Sequence, residues 1–550
     1  MTRLALFALG CAAVPALAAA QTCPDTFGPM GPSIRPSVSV AWDQVWSVPA
    51  RAPSGWTFAW SEGNDIYARL FDPDLLPLSG AFRVNTLLDQ DTQDEPAIAY
   101  STTGTFLVAW SERHGYDGSA MGVFGRIFDP SGAPLTPEFV LSSITFASQW
   151  RPLVSPTPTG GWVVAWSGDN DGNAYIRILD GNGAFLTGDL EVNTYVFDAQ
   201  VDPAAASNAS GTIFVAFVDF SSHGGVGSGL NLYGRTYTAA GVPREGTEFL
   251  LTNVPANGDQ REPRVAADGT GRFFVVWADE LADGSGYGIL ERVFDANGSA
   301  VGPAFLVNTT TAGDQRLPGI VVDTLGRAVV AWEDYSLGAT SPRIRARRFD
   351  AAANPLGPDF VVNDSPSVGA VLAEPAMDAA GSDLVIGYQG PGAPGNGVDV
   401  FARHFESSPG PQIYCAGKLN SLGCMPSIAF SGTPSASSGS PFTITANRVL
   451  SHKLSLLYYG YGSAFTPFQG ATICVAAPLK RMAIQDSGGN AGLDCSGTLA
   501  TDFNARIQSG VDAGLVPGAI VSARWYYRDP QDPAGFSTGL TNAIRFAICP

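Results

Sequence analysis

Lysine is nearly missing from this chain: three residues, all after position 400, against 28 arginines. Histidine is as scarce, with four residues (His114, His223, His404 and His452), none at a metal-ligand spacing. No Gly-x-Ser-x-Gly elbow leads into a helix, so the common nucleophile and zinc signatures are absent. After position 20 no stretch of 18 apolar residues occurs, and no transmembrane helix is expected. Helical periodicity is lacking between residues 30 and 408. Positive charge is short as well. The formal net charge is −19, and residues 21–408 hold 44 acidic against 21 basic side chains, whereas residues 409–550 hold six against nine. Such an acidic surface argues against nucleic acid or an anionic membrane as partner and favours solubility and cation binding.

The first twenty residues supply what export requires: Arg3, an apolar stretch from Leu4 to Val14, and the small-residue site "ALAAA" at 16–20. A secreted, periplasmic or cell-surface location follows. The mature chain keeps six cysteines: Cys23, Cys415, Cys424, Cys474, Cys495 and Cys549. An even number in an exported chain implies disulfides. Nearness in sequence ranks Cys415–Cys424 and Cys474–Cys495 first and leaves Cys23–Cys549 to join the chain ends.

The stretch "FGRIFDP" at 124–130 returns seven times, its arginine recurring as Arg69, Arg126, Arg177, Arg235, Arg292, Arg347 and Arg403. An aromatic keeps the same beat (Trp60, Trp110, Trp166, Phe217, Trp277, Trp332, Tyr388), and so does a proline (Pro36, Pro96, Pro152, Pro203, Pro263, Pro318, Pro375). Each unit of about 55 residues reads as four short strands separated by Gly, Asn and Asp turns. A sandwich domain needs about 100 residues, so one unit is too small to be one. Four strands repeated seven times predict an all-β fold, a seven-bladed β-propeller over 21–408. The runs "FTITA", "LSLLYYGY", "ATICVA", "AIVSARWYY" and "AIRFAI" predict a small β-sandwich domain over 409–550. The repeated arginine is expected between blades, paired with Glu62, Glu112, Asp279 or Glu333. A residue present in every blade is scaffold, because a ligand site on a pseudo-symmetric ring breaks the symmetry.

The unit "GDQREPRVAADGTGRFFVVWADELADGSGYGILERVFDANGSAVGPAFLVN" resembles a repeat of large exported bacterial proteins of mostly unassigned function. "DGTGRFFVVW" is distantly similar to the Asp-box hairpin of sialidase-type propellers, although Trp277 stands too far from Gly271. The tail, from "YCAGKLNSLGC" to "ARWYYRDPQDPAGFSTGLTNAIRFAICP", resembles a C-terminal domain of exported proteins from environmental bacteria.

Candidate site residues are those that do not repeat, in the blade-entry loops and the loops after the second strands. Arg151, Asp259, Gln260, Arg261, Asp314, Gln315 and Arg316 are candidates for ligand binding, since arginines at a channel mouth bind carboxylate or phosphate bidentately. Asp89, Asp91, Asp94, Asp169 and Asp171 are candidates for calcium, a hard cation that prefers carboxylate oxygens. The tail tyrosines beside arginine in "SLLYYGYG" and "RWYYRD" are candidates for stacking on sugars. The favoured function is a non-catalytic binding or adhesion platform for an extracellular polysaccharide, glycan or cell-surface protein. The alternative is a sialidase-like glycan hydrolase at the propeller mouth, which would bring two carboxylates and three arginines into one pocket. If calcium occupies the loops, excess chelator lowers the melting temperature of the purified protein, and an unchanged melting curve refutes the assignment.

Overall fold

The computed structural model describes residues 25–550 except 40–41, 87–91, 114–120, 145–147, 169–171, 222–228, 253–257, 339–341, 364–370, 379 and 393–396. The chain divides into two compact units, one spanning Gly28–Ser407 and the other containing Ser408–Pro550. Residues 1–24, with the expected signal segment and Cys23, lie outside the described residues.

Gly28–Ser407 carries seven antiparallel four-stranded sheets. Blade 1 runs Gln44–Ala52, Gly55–Glu62, Asp65–Phe71 and Phe82–Arg83 from the axis outward, and the first strands of blades 2 to 6 begin at Gln93, Gln149, Gln200, Gln260 and Gln315. Blade 7 has Val371–Met377, Asp383–Pro391 and Val398–Ser408, and takes its outer strand, Thr26–Pro29, from the start of the chain. Ile34 and Ala402 then exchange backbone hydrogen bonds of 2.8 and 2.9 Å. The first strands pack in sequence round the axis, that of blade 7 against that of blade 1, so the ring is a closed seven-bladed propeller.

Second strands such as Phe106–Glu112 and Phe273–Asp279 are buried along their whole length because a blade covers each face, which is why they read as unbroken apolar runs. The aromatic that recurs near their ends stacks on the third strand of its own blade: Trp60 on Tyr67 at 6.2 Å, Trp110 on Phe124 at 6.3 Å, Trp166 on Tyr175 at 6.0 Å.

The repeated arginine does lie between blades, but its partners are carbonyls and not the expected acids. Arg126 donates from Nε to Thr136 O at 3.1 Å, within its blade, and from Nη1 to Val84 O at 2.8 Å, in the blade before. Arg177 repeats this with Thr187 O and Leu141 O, Arg292 with Gly302 O and Leu251 O, and Arg347 with Gly357 O and Val307 O. Arg69 closes the ring on Pro36 O. For Arg126, Arg177, Arg292 and Arg347 the carbonyl of the blade before belongs to the residue just past its outer strand, whose N–H still bonds the third strand, as Val84 N does Ile66 O at 2.7 Å, and the carbonyl of the arginine's own blade lies in the turn before the outer strand. Glu62 accepts instead from the indole of Trp60 at 3.0 Å. Six of the seven guanidinium groups also cover the aromatic two residues on, as Arg126 does Phe128 at 5.5 Å, while Arg177, followed by Leu179, covers Phe185 at 3.5 Å. The aspartate that closes the motif caps the next turn: Asp129 Oδ1 accepts from the backbone of Ser131 and Ala133 at 2.8 and 2.9 Å.

The proline marker needs correction at both ends of the series. Pro96, Pro152, Pro203, Pro263 and Pro318 hold one equivalent place on the first strands, but Pro36 precedes the first strand of blade 1 and Pro375 lies further along that of blade 7.

In the second unit the sheet Gln412–Tyr414, Thr538–Ala547, Ile520–Arg528, Leu454–Gly460 and Lys480–Arg481, extended by Gln485–Asp486, packs one face on a sheet of Ser427–Ser431, Thr443–Val449 and Gly497–Asp502. Ile444, Leu457, Tyr459, Trp525 and Phe546 fill this β-sandwich. A six-residue helix, Phe503–Gln508, is not expected from the strand-like runs; Asp502 caps its start by accepting from Asn504 N at 3.0 Å.

The cysteines pair as Cys415–Cys474 and Cys424–Cys495, against the pairing by nearness. The tight reversal between Cys415 and Cys424 does form, but Asn420 holds it: its Oδ1 accepts from Leu422 N and Cys424 N at 3.1 and 2.9 Å. That frees both sulfurs for distant strands. Closing loops of 59 and 71 residues restricts the unfolded chain more than closing short ones, by about 4 kcal/mol each. Cys549 is disulfide-bonded too, but the expected link to Cys23 lies outside the described residues.

Two stability predictions follow from the blade interfaces. Arg292→Ala leaves Leu251 O and Gly302 O without their donor inside the ring and lowers unfolding free energy by about 2–4 kcal/mol in urea titration, while Arg244→Ala, at an exposed bond to Asn297, changes it by less than about 0.5 kcal/mol. Glu291 stands where Ala68, Ala346 and Ala402 stand in other blades; it is fully buried, neither carboxyl oxygen has a hydrogen-bond partner, and burial pushes its pKa up to about 8. An unfolded glutamate loses its proton near 4.5, so between pH 4.5 and 8 the native state binds more protons and stability falls as pH rises. Glu291→Ile removes that slope and raises stability at pH 7 by up to about 3 kcal/mol; a pH profile of the melting temperature that keeps its slope refutes this.

Candidate functional site

One ring position departs from the repeat. In blades 1 to 6 the first strand carries a bulge against the second, between Val45 and Val48, Asp94 and Ala97, Trp150 and Leu153, Val201 and Ala204, Arg261 and Arg264, and Arg316 and Gly319. The first bulged residue takes a left-handed backbone in each: Trp46 at φ 61°, Glu95 at 53°, Arg151 at 52°, Asp202 at 51°, Glu262 at 60° and Leu317 at 49°. Side chains other than glycine pay about 1 kcal/mol or more for that conformation. In blades 2 to 6 the next residue is the marker proline, which has no N–H for the ladder and suits a bulge.

These six residues line one cavity of about 420 Å³ on the propeller axis. The six positions carry Trp, Glu, Arg, Asp, Glu and Leu, so no one side chain type is shared by more than two blades. Glu333, Tyr335, Arg264, Glu374 and Gln389 complete its polar wall, and valine, proline, alanine and leucine make up the remainder. Five carboxylates therefore face two arginines.

The charges are tied to one another across blades. Glu95 Oε2 accepts from Ser111 Oγ at 2.8 Å and from Arg151 N, one blade on, at 3.1 Å. The Arg151 guanidinium bridges Glu95 Oε1 at 3.5 Å and Asp202 Oδ1 at 3.1 Å. Glu262 accepts from Leu317 N at 2.6 Å and pairs with Arg316 at 2.7 Å. Arg264 lies 3.6 Å from Glu374, whose pKa burial raises against that pairing. The Tyr335 hydroxyl donates to Glu333 Oε2, and burial and then the Glu333 charge hold its pKa well above the usual phenol value. Just behind the wall, burial pushes Asp94 up to about 6 although Arg113 pairs with it at 2.6 Å.

Of the ligand-binding candidates, only Arg151 lines the cavity. Asp259 and Arg261 pair with each other at 2.6 Å. Asp314 Oδ1 accepts from Tyr287 N at 3.2 Å. Gln260 and Gln315 are buried at the start of their first strands and not in loops; Gln260 donates to Asp279 at 3.0 Å, and Gln315 Oε1 accepts from Asn308 at 2.9 Å. Asp89, Asp91, Asp169 and Asp171 lie outside the described residues. Among the described residues no group of three His, Cys, Asp or Glu side chains could hold a metal ion.

Sequence reasoning did not assign Trp46, Glu95, Asp202, Glu262, Leu317, Tyr335 or Glu374 to a ligand site, and it expected Glu333 only as a partner of the repeated arginine. A signal was present for four of them: Glu95, Asp202, Glu262 and Leu317 each precede a marker proline, at a position that varies from blade to blade.

No family model matches the chain, and no curated protein matches it. Among solved structures it is similar to a protein of unknown function from Dyadobacter fermentans, at 12% identity over 59% of this chain and 97% of that one, TM-score 0.42. It is also similar to the α-L-arabinofuranosidase of Fusarium graminearum (14% identity, 56% and 91% covered, TM-score 0.39) and to an ulvan lyase (10% identity, 67% and 92% covered, TM-score 0.42).

Proposed function

We propose that the protein is an exported binding protein whose axial cavity receives the end of a neutral or amine-bearing glycan. The observation that carries this is the loss of symmetry at one ring position: six bulged residues in left-handed backbone, of five different types, around a cavity large enough for a small ligand. Carboxylates accept hydrogen bonds from sugar hydroxyls or an amine, and the rings of Trp46 and Tyr335 offer apolar faces. An excess of carboxylates over arginines repels sialic and uronic acids. The three arginines of a sialidase-like pocket do not converge in the described residues, and both that line the cavity are engaged by acids. Acids and bases tied to one another in this way serve a fixed binding surface better than proton transfer.

Hydrolysis is the second reading, and Glu374 favours it: a carboxyl whose pKa burial raises lines the same cavity as the ion-paired Glu262, a split of environments of the kind that separates acid from base.

A glycan array probed with the full-length mature chain is expected to show binding to neutral or amino-sugar termini, weakened roughly tenfold by Trp46→Ala. Binding confined to acidic glycans, or unaffected by Trp46→Ala, refutes the proposal. Release of reducing sugar that Glu374→Gln abolishes would establish the hydrolase instead.

A further inference from the structure

The six-stranded sheet of the C-terminal unit buries one face in the sandwich core, through Leu457, Tyr459, Trp525 and Tyr527. Its outer face should then be polar, since residues alternate along a strand. It is not. Leu454, Leu456 and Tyr458 point outward from Leu454–Gly460, and Tyr526 and Leu540 join them from the neighbouring strands. The hairpin of Ser463–Phe468 and Ala471–Val475 covers part of this surface. The remainder forms the floor of a cavity of about 430 Å³, walled by Phe468 and Ile473 on one side and by Leu479 and Ile484 on the other.

Leu454 and Ile484 keep 60% and 67% of their surface in solvent, a cost the fold does not need to bear. The polar lining consists of Ser455, Gln469 and two arginines, Arg481 and Arg528, with no carboxylate. Both arginines are exposed, and among the described residues neither forms an ion pair or side-chain hydrogen bond. Two other cations of the unit are paired with acids, Lys418 with Asp532 and Lys480 with Asp512, each at 2.5 Å.

We infer that this cavity binds a single-chain anionic amphiphile, an aliphatic carboxylate whose chain lies on the leucine and isoleucine wall and whose head is met by Arg481 and Arg528. The size is that of a small-molecule site, and guanidinium forks bind carboxylates through paired, charge-assisted hydrogen bonds. A sugar would leave the aliphatic wall wet and find few polar partners. A cationic or neutral amphiphile would leave the two arginines unused. The excess of basic over acidic residues in 409–550, against the acidic remainder of the chain, adds attraction for an anion at this end of the sequence.

The test uses the full-length mature protein and dodecanoate, followed by displacement of a dansylated fatty acid, with dodecan-1-ol and dodecyltrimethylammonium as head-group controls. Dodecanoate is expected to bind saturably at one site, at least roughly tenfold more tightly than either control. Replacing both arginines, Arg481→Ala with Arg528→Ala, should weaken dodecanoate roughly tenfold or more and leave dodecan-1-ol unchanged. Ile484→Asp, at an exposed position that does not threaten folding, should abolish binding of both. The inference is overturned by absence of saturable binding, by equal affinity for the alcohol, or by arginine variants that bind dodecanoate normally. Sedimentation with phosphatidylglycerol vesicles but no binding of free dodecanoate would point to a membrane surface and overturn it as well.

Discussion

A guanidinium between two blades, donating to one carbonyl in each, is the interaction on which the propeller rests. A four-stranded sheet ends with an outer strand of two residues in blades 1 to 6, as at Phe82–Arg83 and Phe139–Val140, and the next residue keeps its N–H on the third strand while its carbonyl accepts from the arginine of the following blade. Buried carbonyls need donors, and a neighbouring sheet facing the blade cannot supply backbone N–H groups in the right direction. Arginine reaches across because its stem lies along apolar surface while its planar head carries several donors at fixed angles. Lysine could place one charge there but not two directed bonds, which gives a physical reason for arginine at the five sites where both bonds form; Arg235 and Arg403 bond the carbonyl of the blade before, Val192 O and Val362 O. Acidic partners would have satisfied the charge and left the carbonyls orphaned.

That frame has a consequence at the axis. With the arginine, the stacked aromatic and the buried glutamine fixing each blade, the first strand can hold a left-handed residue without losing its register on either side of the bulge. The strain is borne by the blade and the side chain is released from the repeat. Symmetry in the frame and asymmetry at the bulge are thus two results of one arrangement. The acids that gather there remain tolerable because each is held by a backbone N–H, a hydroxyl or an arginine from an adjacent element, as Glu95 and Glu262 are.

The repeat was legible because it is written in residues whose roles are local. Strand alternation, glycine turns and the aspartate that caps a turn act within a few positions, so the motif at Arg126 to Asp129 announces a strand and its end. The arginine was visible but its partner was not. Val84 O is 42 positions from Arg126, and no pattern of side chains marks a carbonyl. The candidate site was harder still. Asp259, Gln260 and Arg261 stand out as polar residues before a strand, yet their side chains turn to one another and to Asp279, while the cavity takes the glutamate that follows. A bulge shifts every later side chain by one step, and strand periodicity cannot show where the shift falls.

By itself the sequence determined that this chain is an all-β ring of seven repeated units followed by a smaller β domain, because composition and periodicity decide strand and turn residue by residue. Only the tertiary structure decided which side chains converge on the axis, that Cys415 joins Cys474 and Cys424 joins Cys495, and that the outer face of a sandwich sheet stays apolar beside two unpaired arginines. Those outcomes depend on which distant strands become neighbours. Nearness along the chain lowers the entropy of closing a loop but does not place two sulfurs or two charges at bonding distance; packing of the sheets does.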